Sequence, residues 1–330
     1  MHGFLPTKLR FPFLIFGLIM MTVMVLGMAF AGITQAFAVF MVAILAIGAG
    51  FAVTEGTMSA VLADEFFEDF SKHINFSQVA FSVGALCGPL AAQAMINHGV
   101  YFKDLYLYIG AVFLVMIVLF TLTKHQYDKG HGHPEHDNIS VGKLFKSAIL
   151  VLLAISIFMY VGIENTIANF ADSYFELSQG APQLSALALS LFWGAMIPSR
   201  FLSGIINIDP KKKFIGLSAL IFVSVIGAML VPNHTAKIVF FALSGFGCGP
   251  LWPMIMDTTA KNQSASNGQS LNMMMAFSGL GGALVPLLAS VVVDNTIQAS
   301  AYYITAAVVL VMIAFYLSAN KKNKPKPSRK

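Results

Sequence analysis

Apolar residues run through this chain in long blocks, broken only by short polar stretches. About 20 consecutive apolar residues are enough to cross ~30 Å of hydrocarbon as a helix. Blocks of that kind lie at roughly 11–31, 34–62, 77–97, 104–123, 147–176, 184–207, 214–232, 236–258, 268–293 and 299–319, which predicts ten spans. The first block follows Lys8 and Arg10, as the core of a signal peptide does. Its apolar stretch is longer than the roughly 7–15 residues of such a core, so it reads as a retained span.

Composition fixes the solvent. The chain has 330 residues, 57% hydrophobic and 11% charged, with a mean hydropathy of +0.76. Soluble domains carry about 25% charged residues. A soluble fold of this size lacks the charge to cover its surface, whereas a lipid-facing one needs apolar surface outside. The net charge of +5 does not point to nucleic acid, because six of the 20 basic residues lie in the final KKNKPKPSRK. A basic tail beside membrane spans reads as a cytoplasmic anchor. Cys87 and Cys248 sit in apolar runs and read as small packing residues.

Basic residues also orient the spans. With residue 1 in the cytoplasm, the inner loops hold Lys8, Arg10, Lys72, Lys124, Lys129, Lys143, Lys146, Lys211, Lys212, Lys213, Lys261 and the tail. The outer loops hold Lys103 and Lys237. This positive-inside bias predicts a multi-pass inner- or plasma-membrane protein with both termini cytoplasmic.

Internal similarity predicts the architecture. Gly48, Gly50, Gly84 and Pro89 recur as Gly245, Gly247, Gly281 and Pro286, at a constant offset of 197. One residue off that register, YLYIGAVFLVMIVLF (106–120) aligns with YYITAAVVLVMIAFY (302–316). Both copies are entered from the same side, so the repeat is parallel, as in two transporter halves related by an axis along the membrane normal. On this reading residues 1–124 form a first half, 125–146 a histidine-rich cytoplasmic linker, 147–319 a second half and 320–330 a tail. The second half has six spans and the first has four. The expectation is therefore that one helical hairpin of about 60 residues is missing relative to a two-half fold, through a truncated gene, a misassigned start or a ten-span variant.

Three blocks carry a family resemblance. GFAVTEGTMSAVLADEF (50–66) with NFSQVAFSVGALCGPL (75–90) resembles helices four and five of the fucose–galactose–glucose:proton symporter branch of the major facilitator superfamily. YVGIENTIANF (160–170) with LSLFWGAMIPSRFLSG (189–204) resembles its helices seven and eight. GFGCGPLWPMIMD (245–257) with SGLGGALVP (278–286) resembles helices ten and eleven. The start departs from the pattern: GFLPTKLRF (3–11) lacks the acidic residue and Gly-Arg-Arg ending of the superfamily's loop between helices two and three. The resemblance implies an all-α polytopic major facilitator fold and a sugar symporter, and it matches Glu55 to the branch's coupling glutamate.

Glu55 lies in the second span with apolar neighbours. A carboxylate there is costly unless it is paired, wet or protonated. A group that is neutral in lipid-like surroundings and charged when water enters is what proton coupling requires; a structural hydrogen bond to a neighbouring helix is the alternative. In the fifth span, Glu164, Asn165, Ala168, Asn169 and Asp172 share one helical face, with Tyr160 one turn earlier. A polar stripe on an apolar helix faces a cavity or another helix. Carboxylate and amide groups suit bidentate bonding to sugar hydroxyls, so Glu164, Asn165 and Asn169 are expected substrate contacts, with an interhelical clamp as the alternative. Asp172 and Glu176 lie nearer the outer end.

Trp193 and Trp252 are candidates to stack on a sugar ring, the second on a helix locally broken by Pro250 and Pro253. Ordinary packing is the competing reading for both. Arg200, near the inner end, is expected to pair with Asp257 or Asp209 as a cytoplasmic gate. His125, His131, His133 and His136 form a loose candidate for zinc, but a Gly- and Pro-punctuated linker needs no metal. No Walker loop, catalytic triad or zinc-protease motif appears, and no cofactor is implied.

The sequence reading is a secondary transporter of a small polar solute, a sugar first, coupled to protons or, alternatively, sodium. Its rivals are a drug:proton antiporter and a truncated membrane protein that transports nothing. The extended glycine motif of antiporters is incomplete here, since Asn75, Ala92 and Gln93 flank Gly84-x-x-x-Gly88-Pro89.

Overall fold

The computed structural model describes residues 7–34, 37–130, 141–262 and 267–322. Among these the chain is helical, with no strand. The elements are α1 (Thr7–Thr34), α2 (Phe37–Glu65), α3 (Phe70–Asn97), α4 (Phe102–Gly130), α5 (Val141–Lys146), α6 (Ala148–Ser173), α7 (Ser185–Ile205), α8 (Pro210–Leu230), α9 (His234–Cys248), α10 (Leu251–Asn262), α11 (Asn267–Asp294) and α12 (Ser300–Lys322). Ten spans of sufficient length and hydropathy result, α9 and α10 together making one. The ten predicted blocks each find their helix. Histidines 131, 133 and 136 of the predicted linker lie outside the described residues.

Helix is dictated by the solvent, since hydrocarbon offers backbone groups no partner and every N–H must find a carbonyl within its own segment. Hydroxyl side chains inside the spans obey the same rule. Thr22 donates to Leu18 O at 2.8 Å, Thr54 to Gly50 O at 2.9 Å, Ser156 to Leu152 O at 2.7 Å and Thr166 to Gly162 O at 2.7 Å. Bonding back one turn hides the hydroxyl without demanding a second helix.

Packing divides the chain into two compact units. One comprises Met1–Glu65, Cys87–Ser140 and Ala265–Met275; the other comprises Phe66–Leu86, Val141–Ser264 and Ala276–Lys330. In the first, α1 packs on α2 and α4. Leu14, Leu18 and Met21 form its core, with Ile47, Phe113 and Phe120 against them. Gly17 and Gly50 let the α1 and α2 backbones approach, a Cβ on Gly50 falling 3.0 Å from Gly17 O. Small residues at such crossings are how lipid-embedded helices gain contact without a hydrophobic driving force.

In the second unit α6 packs on α12, α9 packs between α7 and α8, and α10 reaches α6. Gly245 lies against the Phe192 backbone and Gly281 against the Phe158 backbone. At one end of the unit α6 finishes in a π-helical turn, Tyr174–Ser178. There the buried Lys237 donates to Tyr174 Oη and Ala228 O, each at 3.0 Å, tying the end of α8 to the start of α9.

The eighth predicted span is broken as its prolines require. α9 ends at Cys248, Gly249 and Pro250 form a turn, and α10 starts at Leu251. A proline has no N–H to give the carbonyl four residues earlier. Pro250 therefore frees Phe246 O, and Pro253 frees Gly249 O. Left unmade in a buried helix, each such bond costs about 1–3 kcal/mol.

Candidate functional site

Both freed carbonyls are taken up by α7. Ser199 Oγ donates to Phe246 O at 2.5 Å, and the next residue, Arg200, donates from Nε to Gly249 O at 2.8 Å. Arg200 is 1% exposed, buried despite its place near the end of the span. Its Nη1 donates to Gln78 O at 3.0 Å and to Ser82 Oγ on α3, and its Cζ lies 5.8 Å from the centre of the Phe81 ring. Ser82 passes the bond on, donating to Gln78 O at 2.9 Å. One guanidinium thus ties α3, α7 and the α9–α10 break together.

Its remaining nitrogen faces an acid. Arg200 Nη2 lies 3.9 Å from Glu164 Oε1 on α6, with side-chain exposures of 2% and 10%. Tyr160, fully buried one turn before Glu164, faces the same carboxylate without a hydrogen bond of good geometry. This arrangement corrects the expected gate pairing of Arg200 with Asp257 or Asp209. Asp257 instead binds Lys261 at 2.8 Å, one turn along its own helix. Asp209 caps α8, its Oδ1 accepting from Lys212 N at 2.9 Å. The physical reason is that a buried guanidinium needs acceptors on several sides, and the proline break supplies one that no aspartate at the helix ends matches.

The other candidates on α6 continue from Glu164 toward the π-helical turn. Asn165 is half-buried and donates to Val161 O at 2.9 Å. Asn169 and Asp172 are exposed. The stripe therefore passes from buried acid to open amide along one face. Trp193, half-buried, meets the Phe192 ring edge-on, with centroids 5.3 Å apart. Trp252 is buried at the start of α10 and donates from Nε1 to Ser278 Oγ at 3.3 Å. Glu55 belongs to the other unit, half-buried on α2, beside Gly56, which closely approaches Asn272.

Near Asp257 a cleft of about 290 Å³ is lined by Lys72, Ser203, Lys213, Asp257, Thr258 and Lys261. Lys213 donates into it, to Ile206 O at 3.0 Å and Ser203 O at 3.2 Å, capping the end of α7. Ser199, Gln78 and Ser82 carried no role in the sequence reading. The two prolines were the available signal for the first, because each marks an acceptor four residues upstream. Nothing local marks Gln78 and Ser82, which look like any self-bonded polar pair on an apolar helix.

The chain matches the profile of the Major Facilitator Superfamily over residues 3–261 and 206–330. It is 23% identical over 318 residues to the "Glucose/mannose transporter GlcP" of Bacillus subtilis (strain 168), covering 92% of this chain and 79% of that one. It is 29% identical over 178 residues to a "Putative glucose/galactose transporter" of Helicobacter pylori (strain J99), covering 53% of this chain and 43% of that one. In structure it is similar to the fucose transporter FucP in the outward conformation, with a TM-score of 0.75 at 16% identity, over 94% of this chain and 83% of that one. It also resembles the proton:xylose symporter XylE bound to 6-bromo-6-deoxy-D-glucose, with a TM-score of 0.75 at 13% identity, over 94% and 80%. At such identities the structural likeness concerns the fold.

Proposed function

Since this chain belongs to the Major Facilitator Superfamily, we propose that it is a sugar transporter working by proton symport and alternating access between its halves, 1–124 and 147–319. The observation that carries this reading is the stripe on α6, which runs from the buried Glu164 through the half-buried Asn165 to the exposed Asn169. A transporter of polar solutes needs such a wall, where hydrogen-bonding groups replace the water a solute leaves behind. Relatives named for glucose, mannose and galactose support a sugar as that solute. The chain is a multi-pass membrane protein and a transporter rather than an enzyme.

In this reading Glu164, Asn165 and Asn169 bind hydroxyls. Trp193 offers a half-exposed ring to the apolar face of the sugar, and Trp252, fixed on Ser278, forms a rigid wall. Asp257, with Lys261 and Lys213 at the cleft, serves as a gate at the cytoplasmic end of the inner or plasma membrane, where both termini lie. Arg200 leaves the gate for the site.

Glu55 carries the proton in this reading. Glu55→Gln fixes the neutral form, so the protein should still exchange labelled sugar across proteoliposomes but fail to concentrate it against a gradient. Normal accumulation by that variant would rule out Glu55 as the coupling acid.

A further inference from the structure

We propose that Glu164 and Arg200 together recognise a single sugar hydroxyl, which donates to Glu164 Oε1 and accepts from Arg200 Nη2. The inference rests on the sugar-transport reading above and assigns the pair its substrate chemistry. Arg200 cannot close on the acid by itself. Nε is held by Gly249 O at 2.8 Å, and Nη1 by Gln78 O at 3.0 Å and by Ser82 Oγ, on two different elements. A planar guanidinium fixed at two of its three nitrogens has no freedom to slide. The third, Nη2, is left 3.9 Å from Glu164 Oε1.

That separation is too long for a direct hydrogen bond, yet it suits one bridging oxygen lying about 2.8 Å from each atom. The bridging group must be acceptor and donor at once, which describes a hydroxyl. A solute carboxylate placed there would meet Glu164, and an ammonium would meet Arg200, so the pair selects neutral polyols against ions of either sign. Tyr160 adds a buried hydroxyl facing the same carboxylate from one turn below, so Glu164 is approached by polar groups on two sides. Its side chain keeps 10% of its surface open.

The test is uptake by proteoliposomes of a hexose and its complete set of monodeoxy analogues, with wild type, Glu164→Gln and Arg200→Lys. A hydrogen bond to a charged group corresponds to roughly 10–100-fold in affinity. One analogue should therefore lose roughly that much apparent affinity in the wild type. Each variant should lose a similar factor for the parent hexose but little more for that analogue, because the contact is already gone. If Arg200→Lys fails to fold, Glu164→Gln alone gives the same cycle. Losses that multiply at every deoxy position, or a fall in maximal rate at unchanged affinity, would overturn the proposal and leave the pair a structural brace. A wild type that takes up no hexose would overturn the sugar reading and this inference together.

Discussion

Replacing Gly281 or Gly245 by alanine should lower the stability of this chain by about 1–3 kcal/mol or more, whereas the same change at Gly84 or Gly48 should be nearly silent. A Cβ on Gly281 lands on the Phe158 carbonyl, 2.6 Å from its carbon and 2.7 Å from the Phe158 Cα. On Gly245 it lands on the Phe192 carbonyl, 2.7 Å from the carbon and 2.9 Å from Cα. These are backbone atoms and cannot rotate aside, so α11 must part from α6, and α9 from α7. Overpacking of this kind costs about 1–3 kcal/mol even where neighbours yield. A membrane helix pair has few other sources of attraction than close packing. Gly84 and Gly48, their mates at the 197-residue offset, have nothing within 4 Å of an added Cβ. Monodisperse yield and thermal unfolding in detergent read the difference. Equal stability of Gly281→Ala and Gly84→Ala would show that the α6–α11 approach has room for a methyl group.

Arg200→Met is the second substitution expected to unfold the second unit. It keeps much of the side chain's length but removes every hydrogen bond to Gly249 O, Gln78 O and Ser82 Oγ. It also leaves the Glu164 carboxylate, 8% exposed, without its counter-charge. Breaking a buried pair from one side costs about 3–5 kcal/mol, chiefly through the charge left behind. Adding Glu164→Gln should therefore recover part of the loss, since the stranded charge disappears while the orphaned carbonyls remain. The apparent unfolding midpoints of the two single variants and the double variant give the answer as a thermodynamic cycle. A double variant no more stable than Arg200→Met would show that the ion pair adds nothing and that the carbonyl bonds carry the whole effect.

Ten spans were legible because lipid imposes one demand on every residue of a span, and hydropathy reports that demand directly. The break between α9 and α10 was legible for a local reason as well, two prolines three residues apart. The partner of Arg200 was not. Charge complementarity along the sequence pointed to Asp257 and Asp209, but each of these is engaged by a neighbour within four residues, Lys261 and the Lys212 amide. What holds Arg200 is mostly backbone oxygen, which sequence patterns do not weigh, on an element 49 residues away and on another 122 residues away. The α6 stripe was readable at 100° per residue, but its gradient from buried to open was not, because that depends on which helices lie beside each turn. The glycine repeat was visible too, but not which of its members meet backbone: Gly50, Gly245 and Gly281 do, whereas Gly48 and Gly84 have nothing within 4 Å of an added Cβ.

The central claim is proton-driven sugar transport, and uptake by the wild-type chain tests it most directly. Purified protein in proteoliposomes, with the medium more acidic than the lumen, should accumulate labelled glucose, galactose or mannose above the external concentration. A protonophore should collapse that accumulation to equilibrium without abolishing exchange. Hexose movement indifferent to the proton gradient would contradict the coupling, and no hexose movement at all would contradict the account.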